Sequence, residues 1–323
     1  MAKGKSKEPS SNPHANGAVP EAAMPVAGLN PGGVERVDEV VEPEKFVTNG
    51  HEPDPDYPRY RVEPGKPVDL SRVDPNESEH YQRKRDVRKE LKKQRRRIRD
   101  LQEKLYAERK QSLLIVLQAI DTGGKDGTIR IVFQGVNPQG CEVHSFKVPC
   151  VEELAHDFLW RYHAKTPERG MITIFNRSHY EDVLVVRVKS LVPEEVWRER
   201  YSLINDFERN LAANNTVVLK FFLDISKDEQ KRRLVSRLQN PAKHWKFASA
   251  DLQERTLWNQ YQIAFQDAMN NCSTEYSPWY VVPANKKWYR NLVVARTIAD
   301  TLEAMNPQYP QGEPGLDKIS VPD

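Results

Sequence analysis

Apolar and polar stretches alternate regularly from residue 112 to residue 305. Five short segments, most of them apolar runs, predict strands over 112–118, 141–147, 171–175, 217–223 and 279–282. The segments between them carry apolar residues at helical spacing and predict helices over 128–134, 151–163, 194–212, 227–239, 249–271 and 286–305. This alternation predicts an α/β fold in which a central parallel sheet of about five strands has helices on both faces.

The two ends of the chain lack this pattern. Residues 1–76 are rich in Pro, Gly, Ser, Asn, Glu and Val and have no sustained periodicity. We therefore expect a largely disordered or extended tail, with extended pieces near 57–70 lying on the domain. The segment 307–323 has a similar composition and is expected to form a second tail, which leaves 77–306 as the folded domain.

A long basic helix is predicted over 77–110, ahead of the alternating part. A narrow apolar stripe runs along it from Val87 to Leu105, and the other faces are crowded with arginine and lysine. The stripe could dock the helix on its own domain or pack against another subunit, and we expect a homo-oligomer, either a dimer or a tetramer. Most of the basic residues are typical of a solvated face, but together they could also bind a polyanion.

Residues 119–128, of sequence AIDTGGKDGT, form a glycine-rich loop between the first predicted strand and a helix. Glycines let backbone N–H groups surround phosphate oxygens, while a lysine and a helix N-terminus add positive charge. We expect phosphate to contact Gly123, Gly124, Lys125, Asp126, Gly127 and Thr128. The loop departs from the Walker A pattern, because Ala119 and Asp126 stand where that pattern has Gly and Ser or Thr. Taken alone, it could also be an ordinary glycine-rich turn.

A second polar segment, from Asn176 to Asp182, follows the third predicted strand. The carboxyl ends of parallel strands carry the ligand sites of such sheets. Because Mg²⁺ prefers carboxylate oxygens, Asp121, Glu181 and Asp182 are the candidate metal ligands. Arg177 could hold a transferring phosphoryl group. Alternatively, the two acidic residues at 181 and 182 could merely favour the start of a helix.

A third cluster is basic and spans a helix break at Asn240–Pro241. It lies within a segment, about 227–250, whose helix, break and second helix are typical of the lid of a small kinase. A basic lid that closes over phosphates would exclude water. The cations assigned to this lid are Arg232, Arg233, Arg237, Lys243 and Lys246. A charged, exposed helix face is the simpler alternative.

Composition narrows the class of protein further. The chain has 323 residues, a formal net charge of +3 and 38% hydrophobic residues, which suits a soluble protein with a substantial core. No apolar run approaches the roughly 20 residues that span a bilayer, and the N-terminus lacks the apolar core of a signal peptide. Cys141, Cys150 and Cys272 lack the spacing of a disulfide framework or zinc site, so we expect a cytoplasmic protein.

Three segments together resemble the second family of polyphosphate kinases. They are DTGGKDGT at 121–128, FNRSHYEDV at 175–183 and NPAKHWKF at 240–247. Shorter stretches support the resemblance: KVP, AHDFLW and WYVVPA, at 147–149, 155–160 and 279–284. The similar region covers roughly 78–306. Many members have Asp where this chain has Asn176, and the asparagine form resembles the branch that accepts AMP as well as ADP.

The resemblance implies a P-loop kinase-like, three-layer fold with a helical lid. It implies Mg²⁺-dependent phosphoryl transfer, with Mn²⁺ as a possible substitute, between polyphosphate and AMP, ADP or ATP. Asp121, Lys125, Arg177 and Asp182 match its catalytic positions. Three alternatives remain: a nucleoside or nucleoside-monophosphate kinase that uses ATP, a nucleic-acid-binding protein, and a catalytically silent scaffold or polyphosphate-binding protein. We expect no specific nucleic-acid partner and no membrane partner.

Overall fold

A five-stranded sheet forms the centre of the computed structural model, which describes residues 60–322. Its strands are β1 (Ser112–Gln118), β2 (Cys141–Ser145), β3 (Ile172–Asn176), β4 (Thr216–Asp224) and β5 (Trp279–Pro283). They lie in the order β2-β3-β1-β4-β5, and every neighbouring pair is parallel. The predicted sheet of about five parallel strands is confirmed.

The central strands are buried over nearly their whole length. All seven residues of β1 are buried, as are all five of β5, whereas the edge strand β2 is partly exposed. Parallel sheets are covered on both faces, so their strands are nearly continuous apolar runs. This explains why the strands were visible in the sequence as uninterrupted apolar segments.

Helices cover both faces of the sheet. They are α1 (Lys84–Glu108), α2 (Lys125–Val132), α3 (Val151–Leu154), α4 (Trp160–His163), α5 (Glu181–Val188), α6 (Glu194–Ala213), α7 (Lys227–Leu238), α8 (Ala250–Thr256), α9 (Trp258–Cys272) and α10 (Lys287–Met305). Helices α1, α2 and α10 pack together in one layer, and α5, α6 and α9 in another. Helices of both layers contact β4, so the fold has three layers.

The apolar stripe of the basic helix is covered within the chain. Helix α1 begins at Lys84 rather than at 77, and it packs along α10. Val87, Ile98 and Leu105 are almost fully buried in this contact. The stripe is therefore unavailable for a second subunit, and of its two predicted uses the structure supports docking on the domain.

Two of the predicted helices are wrong in extent. The helix expected over 151–163 is two four-residue helices, because Asp157 accepts a hydrogen bond from the Leu159 N–H and forms a turn between them. The helix expected over 249–271 is interrupted at Leu257, between α8 and α9. Helix α2 begins at Lys125, three residues earlier than expected, so the end of the glycine-rich loop is already helical.

Residues 60–62 lie along the outer edge of β5. Tyr60 accepts a hydrogen bond from the Val281 N–H at 2.9 Å, and the Val62 N–H donates to Trp279 at 2.8 Å. Tyr60, Val62 and Leu70 are buried against the domain. The rest of the predicted N-terminal tail, residues 1–59, lies outside the described residues. Within 60–322, no helix combines the length and apolar character that a bilayer crossing requires.

Candidate active site

The glycine-rich loop joins the carboxyl end of β1 to the N-terminus of α2. Gly124 precedes the helix with a φ of +102°, which only glycine adopts readily. Lys125 is the first helical residue, and its ammonium lies back over the loop, donating to the Ala119 carbonyl at 3.1 Å. The loop therefore combines a helix N-terminus with an ammonium group, an arrangement suited to phosphate.

Arg177 lies beside this loop because β3 neighbours β1 in the sheet. Its backbone N–H donates to the Leu117 carbonyl, and its φ is +64°, which turns the chain sharply at the strand end. The guanidinium donates to Asp121 at 2.9 Å and lies 3.8 Å from the Glu181 carboxylate. Two carboxylates from two strand ends thus converge on one arginine.

The charges at the loop alter one another's protonation. Burial lowers the pKa of Lys125, the Arg177 charge lowers it further, and Asp121 and Glu181 oppose this shift. Burial also lowers the pKa of Arg177, but the Glu181 and Asp121 carboxylates outweigh it, so that pKa is raised overall. Two cations and two carboxylates are therefore close enough to interact strongly in a half-buried space.

The lid segment reaches the loop through Lys246. A six-residue 3₁₀ helix, Pro241–Lys246, follows α7, and its last lysine lies 3.6 Å from Asp126 in the first turn of α2. Asp126 also accepts a hydrogen bond from the Asn176 side chain at 2.9 Å. Arg237 holds the segment itself, since it donates to the Lys246 carbonyl. Asp126 therefore contacts both Asn176 at the end of β3 and Lys246 of the lid.

Arg233 occupies a different place from the one predicted for it. Although we assigned it to the lid, its side chain is 7% exposed and lies beneath the glycine-rich loop. It donates to the carbonyls of Thr122 and Gly123, both at 2.9 Å, and to that of Ala284. The cause is helical geometry, because this position of α7 faces the sheet while its neighbour Arg232 faces solvent.

Asp182 does not join the carboxylates around Arg177. Its oxygens accept hydrogen bonds from the Tyr162 hydroxyl at 2.9 Å and from Arg200 at 3.2 Å. Burial raises its pKa to about 6, and these two partners only partly offset that effect. Of the acidic pair at the start of α5, the structure thus brings Glu181 to Asp121 and directs Asp182 elsewhere.

A model of the polyphosphate kinase 2 family matches residues 81–310. The chain belongs to this family. The loop, the Arg177 turn and the lid segment all lie within the matched region, and the resemblance inferred from the three sequence motifs is confirmed.

Individual members of the polyphosphate kinase 2 family are similar over most of the chain. An AMP/ADP-polyphosphate phosphotransferase from Meiothermus ruber is 54% identical, over 81% of this chain and 99% of that protein. An ADP-polyphosphate phosphotransferase from Rhodopseudomonas palustris is 43% identical, over 80% of this chain and 94% of its own length. The crystal structure of polyphosphate kinase 2 from Arthrobacter aurescens superposes with a TM-score of 0.78 at 42% identity, covering 81% and 93% of the two chains.

The loop residues predicted to bind phosphate have different surroundings. Gly124 directly precedes α2, and Lys125 is the first residue of that helix. Thr128 is buried, and its hydroxyl donates to the Gly124 carbonyl at 3.2 Å. Asp126 carries a negative charge and is held by Asn176 and Lys246. The Thr128 hydroxyl therefore holds the first turn of α2, and the contacts of the loop with phosphate stay a prediction.

Two residues that support the loop were missed by the sequence reasoning. Arg290, in the first turn of α10, donates to the Gly123 carbonyl at 3.2 Å. Gln230, on α7, donates to the Asp121 carbonyl at 3.2 Å. The available signal was the position of Arg290 among the apolar residues Tyr289 and Leu292, because an arginine on a buried helix face needs a specific partner.

Asp121 and Glu181 are the residues that could hold a divalent metal ion. Within residues 60–322, no cluster of three or more acidic, histidine or cysteine side chains has metal-binding geometry. A pair of carboxylates nevertheless suits Mg²⁺, which commonly takes one or two carboxylates and completes its shell with substrate phosphate and water. Both carboxylates are half-buried and already neutralise one cation, Arg177. The donor set therefore fits such an ion.

Proposed function

We propose that this chain transfers phosphoryl groups between inorganic polyphosphate and adenine nucleotides, converting AMP to ADP, ADP to ATP, or both, reversibly. The supporting observation is the convergence of Lys125, Arg177, Asp121 and Glu181 at the N-terminus of α2. Phosphoryl transfer needs positioning and charge neutralisation more than covalent chemistry. These four groups supply both.

Each group has a role that follows from its charge and position. Lys125 and the Gly124 N–H bind the phosphoryl group that moves, because they form the positive end of α2. Arg177 binds its equatorial oxygens, since a planar guanidinium can make two parallel hydrogen bonds. Asp121 orients Arg177 through their 2.9 Å contact. Transfer in either direction uses the same arrangement.

Asp121 and Glu181 would hold Mg²⁺, or Mn²⁺ in its place, against the phosphates. When bound, such an ion neutralises the charge that develops on the phosphate oxygens. Arg177 contacts both of these carboxylates, so its guanidinium and the ion would lie side by side at the phosphates. The Asp182 role that we assigned from the sequence is proposed here only as support for α5, given its contacts with Tyr162 and Arg200.

The lid supplies cations for the rest of the polyphosphate chain. Arg232, Lys243 and Lys246 are exposed, and Lys246 already reaches the first turn of α2. Closure of this segment would exclude water and favour transfer to a nucleotide over hydrolysis. A long inorganic anion needs several cations along its length, which a nucleoside triphosphate donor does not. This supports polyphosphate as the donor.

The decisive experiment incubates the purified full chain with polyphosphate, Mg²⁺ and one acceptor: AMP, ADP, GMP or GDP. We expect the next higher phosphate of the adenine acceptors, separated by chromatography. ATP with a nucleoside, in parallel reactions, should give no nucleoside monophosphate. Transfer from ATP to nucleosides, or salt-dependent nucleic-acid binding without any nucleotide product, would overturn the proposal.

Lys125→Ala tests the site within this function. We expect kcat/KM to fall about 10²- to 10³-fold, the usual effect of removing one charged donor from a transferring group. The matched control is Lys110→Ala, an exposed lysine before the opposite, amino end of β1. The control should retain full transfer. Near-normal turnover by a folded Lys125→Ala enzyme would show that the reaction occurs elsewhere.

A further inference from the structure

Two arginines lie beneath the glycine-rich loop and hold it from the side of the sheet. Arg290 is 2% exposed and Arg233 is 8% exposed. The Nη1 atoms of both donate to a single acceptor, the carbonyl oxygen of Gly123, at 3.2 and 2.9 Å. We call this pair the loop floor. A carbonyl shared by two buried guanidinium groups is fixed in orientation far more firmly than an ordinary turn carbonyl.

The two floor arginines differ in how their charge is balanced. Arg233 pairs with Glu229 at 2.7 Å. Across residues 60–322, no carboxylate oxygen lies within ion-pair distance of Arg290, whose remaining donors bind the neutral Asn291 side chain at 2.8 and 3.1 Å. Burial, together with the charge of Arg233, lowers the pKa of Arg290 to about 9. A buried charge without a counter-charge destabilises the fold, so a bound anion is needed to balance the charge of Arg290.

The position of this charge identifies where such an anion would bind. The guanidinium lies directly against the loop backbone, because an ideal Cβ at Gly124 would be 2.1 Å from the Arg290 Nη1 and one at Gly127 would be 3.6 Å from its Nη2. The glycines therefore allow the arginine, as well as a ligand, to approach. An anion on the opposite surface of the loop would be one peptide layer away from the charge.

Peptide geometry connects the floor to that opposite surface. All described peptide bonds are trans, and in a planar trans peptide the C=O and the following N–H point in opposite directions. Because the Gly123 carbonyl points down to Arg233 and Arg290, the Gly124 N–H points away from them. The floor therefore determines the direction of a backbone donor at the start of α2.

We propose that Arg290 is a positioning residue for phosphate: it orients the Gly123–Gly124 peptide, and the phosphate bound above the loop supplies its missing counter-charge. This inference rests on the proposed function for the identity of the ligand. Arg290 then acts on phosphate through the loop peptide and does not contact the ligand itself. It also explains why a buried arginine at this point has an amide partner in place of a carboxylate.

The test compares Arg290→Gln with Arg296→Gln in the full-length protein. Arg296 lies on the same helix with a side chain that is 12% exposed, and it is paired with Glu79 and Glu90 at 3.5 and 3.9 Å. The probe is inorganic pyrophosphate with Mg²⁺, and the measurements are its Kd by calorimetry and the Tm with and without it.

We expect Arg290→Gln to leave the ligand-free Tm unchanged or raised, because an unbalanced buried charge is removed. Its Kd for pyrophosphate should rise about tenfold or more, the usual effect of losing a charged partner, and the ligand-induced Tm shift should shrink. Arg296→Gln should show the reverse, a lower ligand-free Tm with the same Kd. Arg290→Lys, which keeps a cation there, should bind pyrophosphate more tightly than Arg290→Gln.

A purely structural arginine would give a different result. The proposal is overturned if Arg290→Gln lowers the ligand-free Tm and keeps the wild-type Kd, or if both Arg290 variants fail to fold without ligand. The wild-type transfer assay separates the two claims. Normal transfer by the wild type with an unchanged Kd in Arg290→Gln removes this inference alone, whereas Arg290-dependent pyrophosphate binding without any transfer removes the proposed function alone.

Discussion

The loop floor and the lid are both basic, yet they are built in opposite ways. Arg232 and Arg233 are consecutive on α7, but their side chains are 70% and 7% exposed. The floor arginine binds backbone carbonyls of the loop, whereas Arg232 and Lys246 lie at the surface and form ion pairs with Glu229 and Asp126. The difference indicates that the floor fixes the shape of the phosphate site, while the lid contributes charge that can move.

The largest effect should come from the floor itself. Arg233→Gln removes one of the two cations that pair with the buried Glu229, together with four hydrogen bonds to backbone carbonyls. We expect the free energy of unfolding to fall by about 3 kcal/mol. Arg232→Gln, its neighbour in the lid, should change it by less than about 0.5 kcal/mol. Urea denaturation followed by circular dichroism measures both.

An equal loss of unfolding free energy in Arg233→Gln and Arg232→Gln would contradict the distinction between floor and lid. A fall in stability for Arg232→Gln comparable to that for Arg233→Gln would mean that α7 as a whole, rather than one of its faces, supports the loop. A small effect of Arg233→Gln would mean that its carbonyl contacts are replaceable by water.

Gly124→Ala should have the next largest effect, because it disturbs the contact between the floor and the loop. An added Cβ would meet the Arg290 guanidinium, and the φ of +102° adds strain of about 1–3 kcal/mol. We expect kcat/KM for transfer to fall about 10- to 100-fold as the loop changes shape. Enzyme assays at saturating polyphosphate, with Tm measured alongside, check this.

Gly135→Ala is the matched control for this prediction. Gly135 has a similar φ of +90°, but an added Cβ there would meet nothing within 4 Å. It should lose stability through strain and retain transfer. Equal loss of transfer in both variants would show that backbone strain matters and that the contact with Arg290 does not.

The two consecutive carboxylates at the start of α5, like the two consecutive arginines of α7, have different surroundings. Glu181 faces Arg177, and Asp182 is held by Tyr162 and Arg200. Burial raises the pKa of Asp182 to about 6, from an ordinary value of 3.8. Between pH 3.8 and pH 6, Asp182 is therefore mostly protonated in the folded chain and mostly ionised in the unfolded chain. Asp182 therefore favours the fold below about pH 4, and this contribution is lost as pH rises through 6.

Asp182→Asn should remove this part of the pH dependence. Between pH 4 and 6, we expect the unfolding free energy of the wild type to decrease relative to that of the variant by on the order of 2 kcal/mol. Transfer at neutral pH should be nearly unchanged, since the amide oxygen can still accept from Arg200 while the amide N–H donates to the Tyr162 hydroxyl oxygen. If the variant stays folded but loses transfer, Asp182 acts in the reaction as the sequence alone suggested.

The sequence predicted the fold better than the site. Four of the five strands appear as nearly continuous apolar runs because they are buried on both faces, and the three motifs identified the family. The prediction of one helix over 151–163 was wrong because the turn at Asp157 depends on a single side-chain hydrogen bond. The spacing of apolar residues carries no information about such a bond. In the site, Asp121, Lys125 and Arg177 are close together because adjacent strands end there.

The misplaced side chains share a physical cause. Whether a charged residue on a helix faces the sheet or solvent depends on the rotation of that helix in the fold, and residue type does not determine it. Arg233 was therefore grouped with the lid, and Arg290 was overlooked among apolar residues on α10. Only the packed structure brings α7 and α10 under the same carbonyl of Gly123.

The smallest effect should come from the lid. The Lys246–Asp126 pair is half-exposed and 3.6 Å long, and such pairs contribute about 0.2–1 kcal/mol. Lys246→Ala should reduce kcat/KM about two- to fivefold at low salt. At high salt, the wild type and the variant should have the same kcat/KM, because salt screens the Lys246 charge that the variant lacks. Lys243→Ala removes an exposed cation from the same 3₁₀ helix without breaking that pair. If both variants respond equally, the lid acts through its total charge; a larger, salt-sensitive loss for Lys246→Ala alone would indicate that its contact with Asp126 closes the lid.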